Sequence, residues 1–333
     1  MDSVELFFTA VGACVILHCG LKVLTVLKVL FPKVWYPVPS GYFTSMGEWA
    51  VVTGASDGIG RAYAIELSKH GMNVAIISRS QEKLNKTAVE IETTGKRVKV
   101  IVADFTKDDV YENIAQNLQD LNIGILVNNV GMLPSPTPCR LLDTDSLEQR
   151  INMVINCNVK AMMKMCTIVL PIMERRRKGI ILNVSSGLAQ IPCPTFSLYT
   201  ASKVCVNRFS QALQAEYKQK GITIQAVAPF GVSTLLSGYQ SPNMFTFTTD
   251  QFVRTSLTYV RSGDKTNGSI RHTILVNMNS SIEHLSIMNI HEYTEYTVLY
   301  INAGNVMTKV NKLFAWCARL NNFSTFSSPG LDS

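Results

Sequence analysis

Trp49-Ala-Val-Val-Thr53 followed by Gly54-Ala-Ser-Asp-Gly58-Ile-Gly60 is an apolar run that stops at a glycine-rich turn. From Arg61 to His70 the apolar residues return at helical spacing, so the stretch reads as strand, turn and helix. Downstream the pattern repeats. Strands are expected at 73–78, 98–103, 125–128, 179–185 and 222–228, with helices at 81–94, 108–120, 147–177 (kinked at Pro171) and 199–220. Strands that are apolar on both faces and alternate with helices imply a parallel sheet covered on both sides. The expected fold is therefore a doubly wound α/β sheet in a single domain.

Composition bounds the rest. The chain has 333 residues, with 31 Lys and Arg against 24 Asp and Glu, a net charge of +7. Apolar residues reach 47%, which excludes a disordered chain. Charged residues are only 17%, so part of the apolar surplus is expected in lipid. Eight scattered cysteines without a CxxC pair exclude a disulfide scaffold, a zinc ribbon and a thioredoxin site. No His spacing suits a metal or a triad; each His is expected to be structural or on the surface. The basic run Arg175-Arg176-Arg177-Lys178 reads as the solvated end of a helix, with membrane contact as the sharper alternative. The charge is too dispersed to suggest nucleic acid.

Leu6 to Leu30 is almost wholly apolar and long enough to span a bilayer as a helix. Acidic Asp2 and Glu5 precede it, and Lys22, Lys28 and Lys33 lie toward its far end, which places the bulk of the chain in the cytosol. An uncleaved anchor (1–31) is favoured over an interfacial helix or a cleaved signal, because the start is acidic and lacks a small-residue exit. A Pro- and aromatic-rich linker (32–47), a nucleotide-binding body (48–276) and an Asn/Ser/Thr-rich tail (277–333), expected to be partly disordered, complete the organisation.

In the body, Gly54, Gly58 and Gly60 allow the backbone to approach a pyrophosphate at a helix N-terminus, with Ser56, Asp57 and Ile59 in the same turn. Where an acidic residue would take a ribose 2′-hydroxyl, this chain has Ser78-Arg79-Ser80. Arginine with flanking hydroxyls suits a 2′-phosphate, so NADPH is expected over NADH. Asp104 is placed to accept from adenine or to cap the next helix, and Asn128-Asn129-Val130-Gly131 to line the adenosine side or to form a turn. Tyr199 and Lys203, four apart, share a helix face. Tyr199 is expected to give a proton to a carbonyl, its pKa lowered toward neutrality by Lys203. Ser186 is expected to hold the carbonyl oxygen, and Asn158 to anchor a water that feeds protons to Lys203. Ser186 and Tyr199 thus double as substrate-binding residues, beside apolar Phe196, Leu198, Phe230, Val232 and Leu235.

TGASDGIG (53–60), NNVG (128–131), NVSSG (183–187) and YTASK (199–203) stand in the order of the short-chain dehydrogenase/reductase family, which the chain resembles. That resemblance implies a Rossmann-type fold, catalytic roles for Asn158, Ser186, Tyr199 and Lys203, and cofactor contacts that include Val232. The runs SMGEWAVVTGASDGIG, ADFTKDDVYENI, IGILVNNVGMLP and LQAEYKQKGI resemble the branch that reduces 17-keto steroids with NADPH. This implies a small-molecule steroid substrate and an endoplasmic reticulum membrane location, and leaves homodimerisation open. Very-long-chain 3-ketoacyl-CoA reduction is the alternative chemistry, and a non-catalytic NADP-binding protein the alternative class. Two departures from the resemblance stand out. Pro229-Phe230-Gly231 replaces the usual Pro-Gly after the sixth strand, and the tail after Val276 is polar where an apolar one is expected.

Overall fold

The computed structural model describes residues 2–276. Its strands are β1 (Trp49–Thr53), β2 (Asn73–Ser78), β3 (Val98–Val102), β4 (Ile123–Asn128), β5 (Gly179–Val184), β6 (Ile222–Val227), β7 (Gly231–Val232), β8 (Thr246–Phe247) and β9 (Lys265–Thr266). Seven form one parallel sheet in the order β3-β2-β1-β4-β5-β6-β9, and β7 and β8 pair separately. The chain reverses direction across the sheet between β1 and β4. The crevice at their carboxyl ends is where such sheets bind ligands.

Every residue of β1 is buried. Ala50 and Val52 face a layer built by α4 (Gly58–Lys69), α5 (Gln81–Glu92) and α10 (Thr249–Leu257), through Tyr63, Leu67, Leu84 and Phe252. Val51 faces the opposite layer, where α6 (Tyr111–Leu118), α8 (Ala161–Arg176) and α9 (Ser197–Tyr217) contribute Ile114, Met165, Val169 and Leu213. This two-sided burial explains why the strands are apolar at every position rather than at alternate ones.

The single helix expected over 147–177 is interrupted. α7 (Leu147–Ile155) passes into a π turn, Asn156–Lys160, before α8 begins, whereas α8 continues through Pro171. One residue of register is absorbed there, which turns Asn158 inward to 2% exposure. The basic run is likewise not all in solvent. Arg176 is half-buried and donates to the Met46 carbonyl (2.6 Å) and to the Ile123 carbonyl, while Arg175, Arg177 and Lys178 are exposed.

The N-terminal helix α1 (Ser3–Leu30) has no buried residue, and Phe7, Phe8, Ile16 and Leu17 stand fully outward. Its 28 residues extend about 42 Å, enough to cross a bilayer. Thr9 and Thr25 return their hydroxyls to the carbonyls of Glu5 and Leu21, as polar side chains in lipid require. The linker holds two short helices, α2 (Pro32–Trp35) and α3 (Tyr42–Met46), and it docks on the body. Phe43 enters the core, the Tyr259 hydroxyl donates to the Val29 carbonyl (3.2 Å), and Arg261 lies over Tyr42. Trp35 stays exposed under Lys28 at the foot of α1. The tail expected to be partly disordered lies outside the described residues.

Gly47 and Gly124 pack backbone to backbone: a Cβ on Gly124 would lie 2.5 Å from the Gly47 nitrogen. Gly124→Ala is therefore expected to lower the unfolding free energy of the full chain by about 1–3 kcal/mol in urea denaturation. Gly12→Ala, with nothing within 4 Å, should leave it unchanged.

Candidate active site

The carboxyl ends of β1 and β4 are locked together by Thr53. Its hydroxyl accepts from the Asn129 N–H (3.0 Å) and the Val130 N–H (3.1 Å) and donates to the Val127 carbonyl (3.4 Å). The Asn129 amide donates in turn to the carbonyls of Thr53 (3.1 Å) and Gly54 (3.3 Å). A Cβ on Gly60 would fall 2.3 Å from the Gly54 oxygen and 2.4 Å from Asn129 Nδ2, so only glycine fits. Gly58 and Gly54 both have positive φ, at 58° and 65°. Asp57 accepts from the Gly58 N–H at the start of α4. The helix N-terminus thus opens on the crevice, as anion binding requires.

The surrounding residues take distinct positions. Ser56 and Ser78 share a hydrogen bond of 2.9 Å that joins the glycine turn to β2. Ser80 caps α5. Arg79 is exposed and makes no hydrogen bond or ion pair among the described residues. Asp104 accepts from the Thr106 N–H (3.1 Å) and hydroxyl (2.9 Å) within the turn after β3, and does not cap α6, which begins at Tyr111. Ile59 packs on the core, and Val232 lies within it at 4% exposure. Asn128 does not line the crevice. Its amide is buried and donates to Asn183 (2.9 Å), which donates to Ser210 (2.9 Å). Gly131 sits beside the catalytic set; a Cβ there would lie 3.2 Å from Lys203 Nζ.

Tyr199 lies in the first turn of α9, and Ser186 follows β5. The Ser186 hydroxyl lies near the Tyr199 phenol and favours its charged form. Ser186 Oγ accepts from the Leu188 N–H (3.2 Å). Lys203 Nζ donates to the Val184 carbonyl (2.9 Å) and lies 5.8 Å from the centre of the Tyr199 ring. Ser185 ties α9 to β5 by donating to the Lys203 carbonyl (2.8 Å). Within the chain, burial rather than Lys203 governs the phenol. Desolvation raises the Tyr199 pKa, only partly offset by the Ser186 hydroxyl. Burial also pushes Lys203 down to about 8. The expected fall of the Tyr199 pKa is thus not a property of the chain's own groups.

Asn158 ties the π turn to the loop after β4. Its Oδ1 accepts from the Met132 N–H (2.8 Å), and its Nδ2 donates to the Met132 carbonyl (3.0 Å) and to Ser202 (3.0 Å). Both amide protons are spent within the protein, so the side chain positions the 131–132 loop. Of the apolar set, Phe196, Leu198 and Phe230 are half-buried around the site, Val232 is in the core and Leu235 is 63% exposed.

The sequence profile described as short chain dehydrogenase matches residues 48–244. The chain belongs to this family. It is 59% identical to 17-beta-hydroxysteroid dehydrogenase type 3 of Danio rerio, over 85% of this chain and 92% of that one. It is 45% identical to the very-long-chain 3-oxoacyl-CoA reductase of Anas platyrhynchos, over 74% of this chain and 79% of that one. Among solved structures it is similar to a short-chain dehydrogenase from Sphingobium yanoikuyae in complex with NADPH. That match has a TM-score of 0.62 and 25% identity, over 73% of this chain and 96% of that one. The protein is accordingly a short-chain dehydrogenase with a Rossmann-type fold, an oxidoreductase that uses a nicotinamide nucleotide and a small-molecule substrate. The crevice fits such a cofactor: its glycine cradle excludes any Cβ, and the buried ammonium of Lys203 has three protons for one protein acceptor.

This short-chain dehydrogenase also depends on a residue that pattern reading passed over. His272 is fully buried between Phe247 and Phe252. Its Nδ1 accepts from the Phe230 N–H (3.2 Å), and its Nε2 faces the carbonyls of Gly231 (3.2 Å) and Phe245 (3.1 Å). The irregular Pro229-Phe230-Gly231 turn is thus held by one neutral imidazole, and Phe230 packs on Gly187 beside Ser186. Burial pushes the His272 pKa down to about 4. The neutral ring is favoured in the fold, so its contribution is complete above pH 6.5 and is lost as pH falls from 6.5 toward 4, about 3 kcal/mol in all. Urea unfolding should show stability falling between pH 6.5 and 5, and His272→Gln should flatten that slope.

Proposed function

We propose that the protein is an NADPH-dependent reductase of 17-keto steroids, held in the endoplasmic reticulum membrane with its catalytic body in the cytosol. The observation that carries this reading is Tyr199, buried beside Ser186, with the Lys203 ammonium 5.8 Å from the centre of its ring. NADPH supplies the hydride when bound. Ser186 and Tyr199 each offer a proton to the substrate carbonyl oxygen, because the Leu188 N–H already occupies an acceptor site on Ser186. As the oxygen gains charge, the phenol proton passes to it. The Lys203 ammonium lowers the cost of the phenolate left behind. Arg79, with no hydrogen bond or ion pair among the described residues, supports a 2′-phosphate, and Ser56 and Ser78 stand beside it.

The steroid is favoured over an acyl-CoA by the loops at the mouth. Residues 230–247 contain no charged side chain, and 132–146 contain one cation, Arg140, against Asp143 and Asp145. A polyanionic thioester carrier finds little to bind there, whereas an uncharged apolar ketone finds Phe196, Leu198 and Phe230. Identity is also higher to the hydroxysteroid dehydrogenase than to the acyl-CoA reductase. Androstenedione should be reduced by the full chain with NADPH, and a 3-ketoacyl-CoA much more slowly. Tyr199→Phe should cut the rate by about 10²–10⁴-fold with cofactor binding retained. No steroid turnover, or indifference to Tyr199→Phe, would reject the reading.

Cofactor choice has its own test. Arg79→Asp should raise the KM for NADPH by at least about tenfold and improve use of NADH, since one charge-assisted contact is exchanged for repulsion. Steady-state kinetics with both cofactors measures it, and an unchanged preference removes Arg79 from the role.

A further inference from the structure

In a parallel sheet flanked by returning helices, strand starts and helix ends share one edge. The linker docks at that edge. Arg176, at the end of α8, donates to the Met46 carbonyl and to Ile123 at the start of β4. Phe43 packs edge-on against His70 at the end of α4 (5.0 Å between ring centres). The foot of α1 therefore lies at the amino edge of the sheet, and the catalytic set lies at the carboxyl edge.

The same edge carries the densest positive charge among the described residues. Arg175, Arg177 and Lys178 precede β5, while Lys218 and Lys220 precede β6, and all five are exposed. The strand starts they precede are paired, Gly179 with Ile222. Arg177 donates to the Gln219 carbonyl (2.8 Å), and Lys220 pairs with Glu174 (2.9 Å), so the two runs form one surface. The carboxylates interleaved with them are Glu174, already paired, and exposed Glu216. Lys33, also exposed, extends the positive charge along the linker.

We infer that this amino-edge basic surface docks on anionic lipid headgroups of the membrane that holds α1. The inference rests on α1 being embedded there. The occupant follows from position: the linker that leaves the bilayer is bonded to Arg176, and the residues on either side of Arg176 point outward with unmatched charge. Anionic lipid attracts such juxtamembrane cations within a Debye length. The substrate mouth then faces away from the bilayer by one strand length, about 20 Å.

The test uses the full chain in nanodiscs of phosphatidylcholine alone or with phosphatidylserine, and mass spectrometry of lysine acetylation. Lys178, Lys218 and Lys220 should react at least about threefold more slowly in the anionic discs, and the difference should vanish in 1 M salt, where the Debye length is about 3 Å. Lys107, exposed just past β3 at the opposite edge, is the internal control and should be unaffected. Arg175→Glu combined with Lys178→Glu and Lys218→Glu should abolish lipid dependence at Lys220, with NADPH binding retained as the check on folding. If that variant does not fold, the wild-type comparison across lipid and salt decides. Equal rates in both discs, or slowing at Lys107 instead, would overturn the surface. Failure of the chain to incorporate into discs at all would strike the anchor itself.

Discussion

At the switch between β1 and β4, two backbones and one amide side chain meet with no room for an added carbon. Asn129 reaches across to the carbonyls of Thr53 and Gly54, and Gly60 passes within contact of both. That close approach fixes where α4 begins, and with it the direction of the helix N-terminus that faces the nucleotide. It also sets the height of the 130–132 loop, which Asn158 grips from the π turn and which brings Gly131 against Lys203. Cofactor cradle and catalytic helix are thus registered to each other through a few side chains at one crevice.

Burial moves Tyr199 and Lys203 in opposite directions. It holds Tyr199 in its protonated form, and it weakens the hold of Lys203 on its proton. The first makes Tyr199 a weaker acid; the second limits how much stabilising charge sits behind it. Among the described residues, only the Val184 carbonyl takes up the ammonium. The pair is therefore tuned by what else enters the crevice, and a site built this way couples proton donation to cofactor occupancy.

Much of this was legible in the residues. The strand-turn-helix at 49–60, the YTASK spacing and the apolar N-terminal segment are local patterns, and local geometry decides them. What escaped is non-local. Asn128 and Asn129 are neighbours of one chemical type, yet the first points into the core and the second across the crevice, an alternation set by the register of β4. The π turn leaves no mark in apolar spacing, because a slip of one residue looks like ordinary scatter. His272 lies 42 residues from the Phe230 N–H it accepts, so a lone histidine gave no hint that it holds the turn after β6. The two-residue strands β7, β8 and β9 are too short to carry a period.

The run Arg175–Lys178 carries both halves of the molecule's architecture. Successive residues on a helix turn by about 100°, so four adjacent cations cannot share one environment. Arg176 is rotated inward, and its two terminal nitrogens donate to the carbonyls of Met46 and Ile123. Its neighbours are rotated outward and remain charged at the surface. Between Val29 and Met46 the chain is tied to the body by Tyr259, by Arg261 at the Pro37 carbonyl and by Arg176. A free linker of that length would let the body wander by about 20 Å. Three ties along it hold the catalytic edge at one distance and one tilt from the foot of α1, so orientation is a property of the fold rather than of a tether.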